Sequence, residues 1–122
     1  MKKKILAIDD SSTNIVLLNA VLVQHGYEVI TAFSAKEAFK LLEKESPDLI
    51  LLDLLMPEIS GIDFLEHIKK EKKLKDIPVV IVSAVGSKEN ISLTRELGAV
   101  SFISKPVDIN ELTNTVAGLL KD

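Results

Sequence analysis

Residues 49–61 read LILLDLLMPEISG: four aliphatic residues, one aspartate, then three more apolar residues before a turn-forming stretch. An aliphatic run with no polar alternation suits a strand buried on both faces. A lone ionised carboxylate in the middle of such surroundings would be expelled or forced to take up a proton. The conflict disappears if Asp53 stands at the carboxyl end of a central strand. The expectation is therefore an acid at the mouth of the sheet and outside its core.

Further runs of the same kind lie on either side. Ile5 to Ile8, Val79 to Val82 and Val100 to Ile103 read as strands, and Val29 to Thr31 as a shorter one. Between them lie amphipathic stretches with helix signals. Asn14 to His25 has Ser11 or Ser12 as N-cap and Gly26 past its end. Ser34 with Glu37 three residues on forms a capping box, and that helix stops before Pro47. A third helix covers Gly61 to Lys70, Ser87 caps a fourth that ends at Gly98, and Asp108 with Glu111 opens the last. The order is strand then helix, five times. Such alternation implies a parallel sheet with helices on both faces. The commonest arrangement of five strands is 2-1-3-4-5, and the polar second strand, with Glu28 and Thr31, suits an edge.

The bulk numbers fit this class. With 122 residues and 47% apolar content, the chain can bury a sizeable core as one domain over residues 1–122. There is no cysteine, which excludes a disulfide frame and thiolate metal ligands. The basic start, Met1 to Lys4, is followed by apolar runs too short for a signal peptide or a membrane helix, so a cytoplasmic location with no membrane contact is expected. A net charge of −3 speaks against direct nucleic-acid binding. The lysines of KKEKKLK, residues 69–75, read as a solvated helix end.

In sheets of this kind ligands bind beyond the carboxyl ends of the strands, where the winding direction reverses, here between strands 1 and 3. Strand 1 ends in Asp9 and Asp10, and strand 3 ends in Asp53. Three carboxylates from distant parts of the chain thus meet in one crevice. Like charges raise one another's pKa and destabilise the fold. A hard divalent cation offsets this, and Mg²⁺ commonly completes its shell with a phosphate group. Strand 4 contributes Ser83, and Lys105 follows strand 5, held extended by Pro106. A hydroxyl and an ammonium suit phosphoryl oxygens.

This constellation resembles the receiver domain of bacterial two-component response regulators, the CheY-like family. The resemblance rests on IDDSSTN after strand 1, LLDLLMPEISG around strand 3, VSA at the end of strand 4 and FISKP near the end of the chain. The strand order 2-1-3-4-5 is also that family's own, so it adds no independent support. The resemblance implies that Asp53 accepts a phosphoryl group from a sensor histidine kinase or histidine phosphotransfer protein. It implies Mg²⁺ held by Asp9, Asp10, Asp53 and the backbone carbonyl of Leu55, with Ser83 and Lys105 on the phosphoryl oxygens. Ser83 and Phe102 would be switch residues, and the Lys105-Pro106 bond is often cis in this family. The implied output is a population shift in the face formed by strand 4, helix 4, strand 5 and helix 5, read by a downstream protein or a fused output domain. The implied role is a signalling switch that assists only its own phosphorylation and dephosphorylation.

Some positions depart from the family pattern or add to it. Ser60 stands where an aspartate is frequent, and as a helix cap it serves equally well. The residues two beyond Asp53 and Ser83 are Leu55 and Val85, neither able to orient a hydrolytic water, so a long-lived phosphoform is expected. The first helix is apolar nearly all round. Spacing assigns Leu17, Leu18, Val21 and Leu22 to the sheet. That leaves Ile15, Val16 and Val23 on the outer flank, where the resemblance implies that the phosphodonor docks, with Pro106 also assigned to donor docking. A Mg²⁺-dependent phosphatase is the competing reading, but it would need a second acid where Leu55 stands. A nucleotide-binding module would need a glycine fingerprint that the acidic loop after strand 1 lacks.

Overall fold

The computed structural model describes residues 2–121. Ten elements alternate: β1 (Lys4–Ile8), α1 (Ser12–Gln24), β2 (Glu28–Ala32), α2 (Ala35–Leu42), β3 (Leu49–Leu52), α3 (Gly61–Lys70), β4 (Val79–Ser83), α4 (Lys88–Glu96), β5 (Ser101–Ser104) and α5 (Ile109–Leu120). The strands form one parallel sheet in the order β2-β1-β3-β4-β5.

Each helix starts for the same local reason. The side chains of Ser11, Ser34, Ser60, Ser87 and Asp108 each accept a hydrogen bond from the backbone N–H three residues on. A cap of this type contributes about 1 kcal/mol. The sheet separates two apolar layers by the period of two along each strand. Ile5, Ala7, Leu49 and Leu51 pack with α1 and α5, while Leu6, Ile8, Ile50 and Leu52 pack with α2 and α3. Every residue of β3 and β4 is buried, as their unbroken aliphatic runs require. β2 is an edge strand, with Glu28 exposed.

Register places the functional residues. Ile8 pairs with Leu52, so the residues that follow them, Asp9 and Asp53, emerge side by side. Ser83 pairs with Ser104, so Lys105 leaves the sheet beside Ser83, and its N–H donates to the Ser83 carbonyl at 3.0 Å.

Several expectations need correction. α1 begins at Ser12 because Ser11 is the cap, and β5 runs one residue later than its apolar run indicated. Ile15 is buried, 5% exposed, and belongs to the sheet-facing stripe with Leu18, Val21 and Leu22. It therefore cannot contribute to an outer patch, and Leu17 is only partly buried against that stripe. Lys69 is not a solvated helix-end lysine. Its Nζ donates to the carbonyls of Lys75 and Ile77, each at 2.9 Å, and burial lowers its pKa. Among the described residues no helix is long and apolar enough to cross a membrane.

Candidate functional site

The site is built on the carboxyl ends of β1, β3, β4 and β5. One ligand atom from each of Asp9, Asp10 and Asp53 lies within 4.8 Å of the others. Asp10 is exposed, but Asp9 and Asp53 are only 1% and 4% exposed. The expected placement at the strand end holds, and Asp53 is nonetheless buried there. The β3–α3 loop folds back on the strand end, where the Gly61 N–H donates to the Leu54 carbonyl.

Backbone donors aim both buried carboxylates. The Ser11 N–H donates to Asp9 Oδ1 at 2.9 Å, and the Leu55 N–H approaches Asp53 Oδ1 at 3.4 Å. Lys105 Nζ lies 2.8 Å from Asp9 Oδ2 and 3.5 Å from Asp53 Oδ2. Asp9 Oδ2 accepts no hydrogen bond, so the 2.8 Å contact with Lys105 is an ion pair without hydrogen-bond alignment. Burial raises the Asp53 pKa above its ordinary value, and the Asp9 charge raises it further. Lys105, the Leu55 N–H and the Ser83 hydroxyl act in the opposite direction. The net direction is upward, chiefly because burial disfavours the charged form and secondly because Asp9 stands beside it.

Ser83 is fully buried, and its Oγ accepts from the Val85 N–H at 3.3 Å. The Lys105–Pro106 peptide bond is cis. Phe102 is partly buried in the α2/α3 layer, beside the loop that leaves Ser83. Val16 and Val23 are exposed, 67% and 49%, and Pro106 is exposed as well. The side chain of Leu55 is also exposed, above the acid cluster in the β3–α3 loop.

Three contributors escaped the sequence reading. The Ser11 and Leu55 N–H groups carry no side-chain signal, because any residue there supplies the donor. Gly61 does carry one. Its N–H donates to the Leu54 carbonyl at 3.0 Å, and a Cβ there would collide with the Asp53 carbonyl oxygen and lie 2.7 Å from Leu54 Cα. The glycine that starts α3 thus lets the loop fold back over the strand end. Elsewhere a cavity of about 390 Å³ lies between α2 and the end of α3, lined by Phe39, Leu42, His67 and Leu74 with Glu43, Glu71 and Lys73. Its mixture of charge signs selects no ligand chemistry, so the convergence of charge at the strand ends, not concavity, locates the site.

Known proteins resemble this chain in sequence and fold. The response regulator receiver domain family matches residues 5–117. The polar-differentiation response regulator DivK of Brucella ovis is 33% identical over 122 residues, covering all of this chain and 99% of that protein. The alkaline phosphatase synthesis transcriptional regulatory protein PhoP of Bacillus subtilis is 36% identical over 121 residues, covering 99% of this chain and 50% of that protein. Among solved structures, a putative response regulator from Chloroflexus aurantiacus superposes with a TM-score of 0.94 at 30% identity, covering the whole of both chains. The chemotaxis protein CheY4 of Vibrio cholerae gives 0.92 at 28% identity over 98% of this chain and all of that one. With the family matched over nearly its whole length, the chain belongs to the response regulator receiver domains, the phosphorylation-dependent switches of two-component signalling.

Proposed function

We propose that residues 1–122 act as a single receiver unit in which Asp53 is the phosphoacceptor. The observation that carries this reading is the meeting of Asp9, Asp10 and Asp53 at adjacent strand ends with Lys105 Nζ within 3.5 Å of Asp53. A carboxylate oxygen of Asp53 attacks the phosphorus of a phosphohistidine on a kinase or phosphotransfer protein. An O–P bond forms, the N–P bond breaks, and its electron pair returns to the donor imidazole. No general base is needed, because a carboxylate oxygen attacks without giving up a proton. Phosphoryl transfer asks mainly for positioning and charge neutralisation. Lys105 and the Ser83 hydroxyl would each meet a phosphoryl oxygen.

The donor set fits a hard divalent cation. It is all oxygen, carries excess negative charge and includes the buried Asp9 Oδ2, which no hydrogen-bond donor is aligned on. Asp9, Asp10, Asp53 and the Leu55 carbonyl would hold Mg²⁺, which when bound supplies positive charge opposite the phosphoryl oxygens. The donor presents its phosphohistidine at the mouth of the site, with Val16, Val23 and Pro106 at the docking surface. The output passes through β4, α4, β5 and α5, with Ser83 and Phe102 as switch residues, to a downstream protein or an attached output domain. The chain works by binding and self-phosphorylation and turns over no separate substrate. On this reading the domain works in the cytoplasm, without direct contact to membrane or nucleic acid.

The test is labelling with a small-molecule phosphodonor. Labelling that requires Mg²⁺, reaches one phosphoryl group per chain and is lost in Asp53→Asn is expected. Repeated turnover of phosphate esters would point instead to a phosphatase.

A further inference from the structure

The Val85 peptide is tied at both ends, and only one end belongs to the acceptor pocket. Its N–H donates to Ser83 Oγ at 3.3 Å, and its carbonyl accepts from Asn90 Nδ2 at 2.9 Å. Asn90 lies in the first turn of α4, where its own N–H donates to the cap Ser87. Its backbone carbonyl accepts from Thr94 Oγ1 at 2.8 Å, and Thr94 is buried. A continuous series of hydrogen bonds therefore runs from the buried Ser83 hydroxyl to the second turn of α4. Within it, the Asn90 amide is the side chain that joins loop to helix. The loop has little slack elsewhere: a Cβ on Gly86 would lie 2.8 Å from Ser104 Oγ and 3.5 Å from the Phe102 ring.

We propose that Asn90 is a positioning residue whose side-chain amide latches the β4–α4 loop in the arrangement where Ser83 Oγ accepts from Val85. The proposal rests on the receiver reading given above. When Ser83 turns its hydroxyl toward a phosphoryl group on Asp53, the Val85 N–H loses its acceptor and the loop must shift. The Asn90 amide opposes that shift, and it passes the strain to α4 when the shift occurs. A side chain that cannot donate removes the opposition and the transmission together.

The variant Asn90→Ala is compared with wild type, alone and on a Ser83→Ala background, using a small-molecule phosphodonor and Mg²⁺. Asn90→Ala is expected to speed phosphorylation about threefold to tenfold, the size of one net hydrogen bond. On the Ser83→Ala background the same change is expected to have no effect on the rate, because the coupled partner is gone. Amide hydrogen exchange of Val85 and Gly86 in the unphosphorylated protein is expected to quicken in Asn90→Ala by a similar factor. Asn90→Gln, which keeps the donor on a longer stem, is expected to restore part of the protection. Equal rate effects on both backgrounds would overturn the latch, as would unchanged exchange. Failure of the wild type to label at all would overturn the receiver reading itself, and the exchange measurement, which needs no phosphate, separates the two.

Discussion

Lys105 leans on Asp9 more closely than on Asp53: its Nζ is 2.8 Å from the first carboxylate and 3.5 Å from the second. The acceptor is thus the less neutralised of the two buried acids. Its charge is disfavoured first by burial and then by Asp9.

That imbalance sets a pH signature. Because folding raises the Asp53 pKa, this residue adds stability only at low pH, where it is protonated in both states, and that contribution is lost as pH rises through the raised value. Asp53→Asn keeps the shape and removes the charge. It is expected to stabilise the metal-free protein near pH 7 by roughly 1 kcal/mol, a Tm gain of about 3–6 °C for a chain of this size. The gain should shrink toward zero as pH falls below about 4, the ordinary range for aspartate. Thermal melts at the two pH values check this, and an equal or lower Tm for the variant near neutrality would contradict it.

Gly61→Ala tests the fold-back of the β3–α3 loop. Its Cβ would meet the Asp53 carbonyl and Leu54 backbone, neither of which can yield as a side-chain tip could. A loss of about 1–3 kcal/mol is expected from a lower urea midpoint with unchanged slope. A variant as stable as wild type would mean that the strand end relaxes freely.

Val16→Lys places a charge on the exposed flank of α1, where Val16 is 67% exposed. Stability should change by less than about 0.5 kcal/mol. Phosphotransfer from the cognate histidine donor is expected to slow at least several-fold while labelling by a small-molecule donor keeps its rate. Equal slowing of both would remove α1 from the docking surface.

The phosphoform is expected to persist for minutes or longer once the donor is removed. In-line hydrolysis needs a placed water, and neither Leu55 nor Val85 has a polar side-chain atom to place one. Decay followed by phosphate release after rapid desalting gives the lifetime. Loss within seconds would show that the water is oriented by another group.

The sheet order and the gathering of Asp9, Asp53, Ser83 and Lys105 were legible because strand-end position follows from where each aliphatic run stops. The burial of Asp53 was not. It depends on the Leu54–Gly61 fold-back, a contact between residues seven apart with no periodic signal. The burying face of α1 was misjudged at Ile15 for a related reason. Nearly every position from Ile15 to Val23 is apolar, so spacing alone allows more than one stripe, and the rotation of the helix on the sheet decides. Lys69 was read as solvated because composition registers its charge and not the two carbonyls waiting for it at the α3–β4 turn.

Lys69 has one more effect. Its stem runs within 3.3 Å of where a Cβ on Gly98 would stand, and Gly98, at φ +109°, closes the turn after α4. The nine-residue helix, about 13 Å long, is therefore braced at the end remote from phosphate. A shift of the β4–α4 loop would then be taken up at Ser87 to Asn90 more than at Gly98. A partner gripping that first turn would sense the largest movement, whereas one seated near Gly98 would sense almost none.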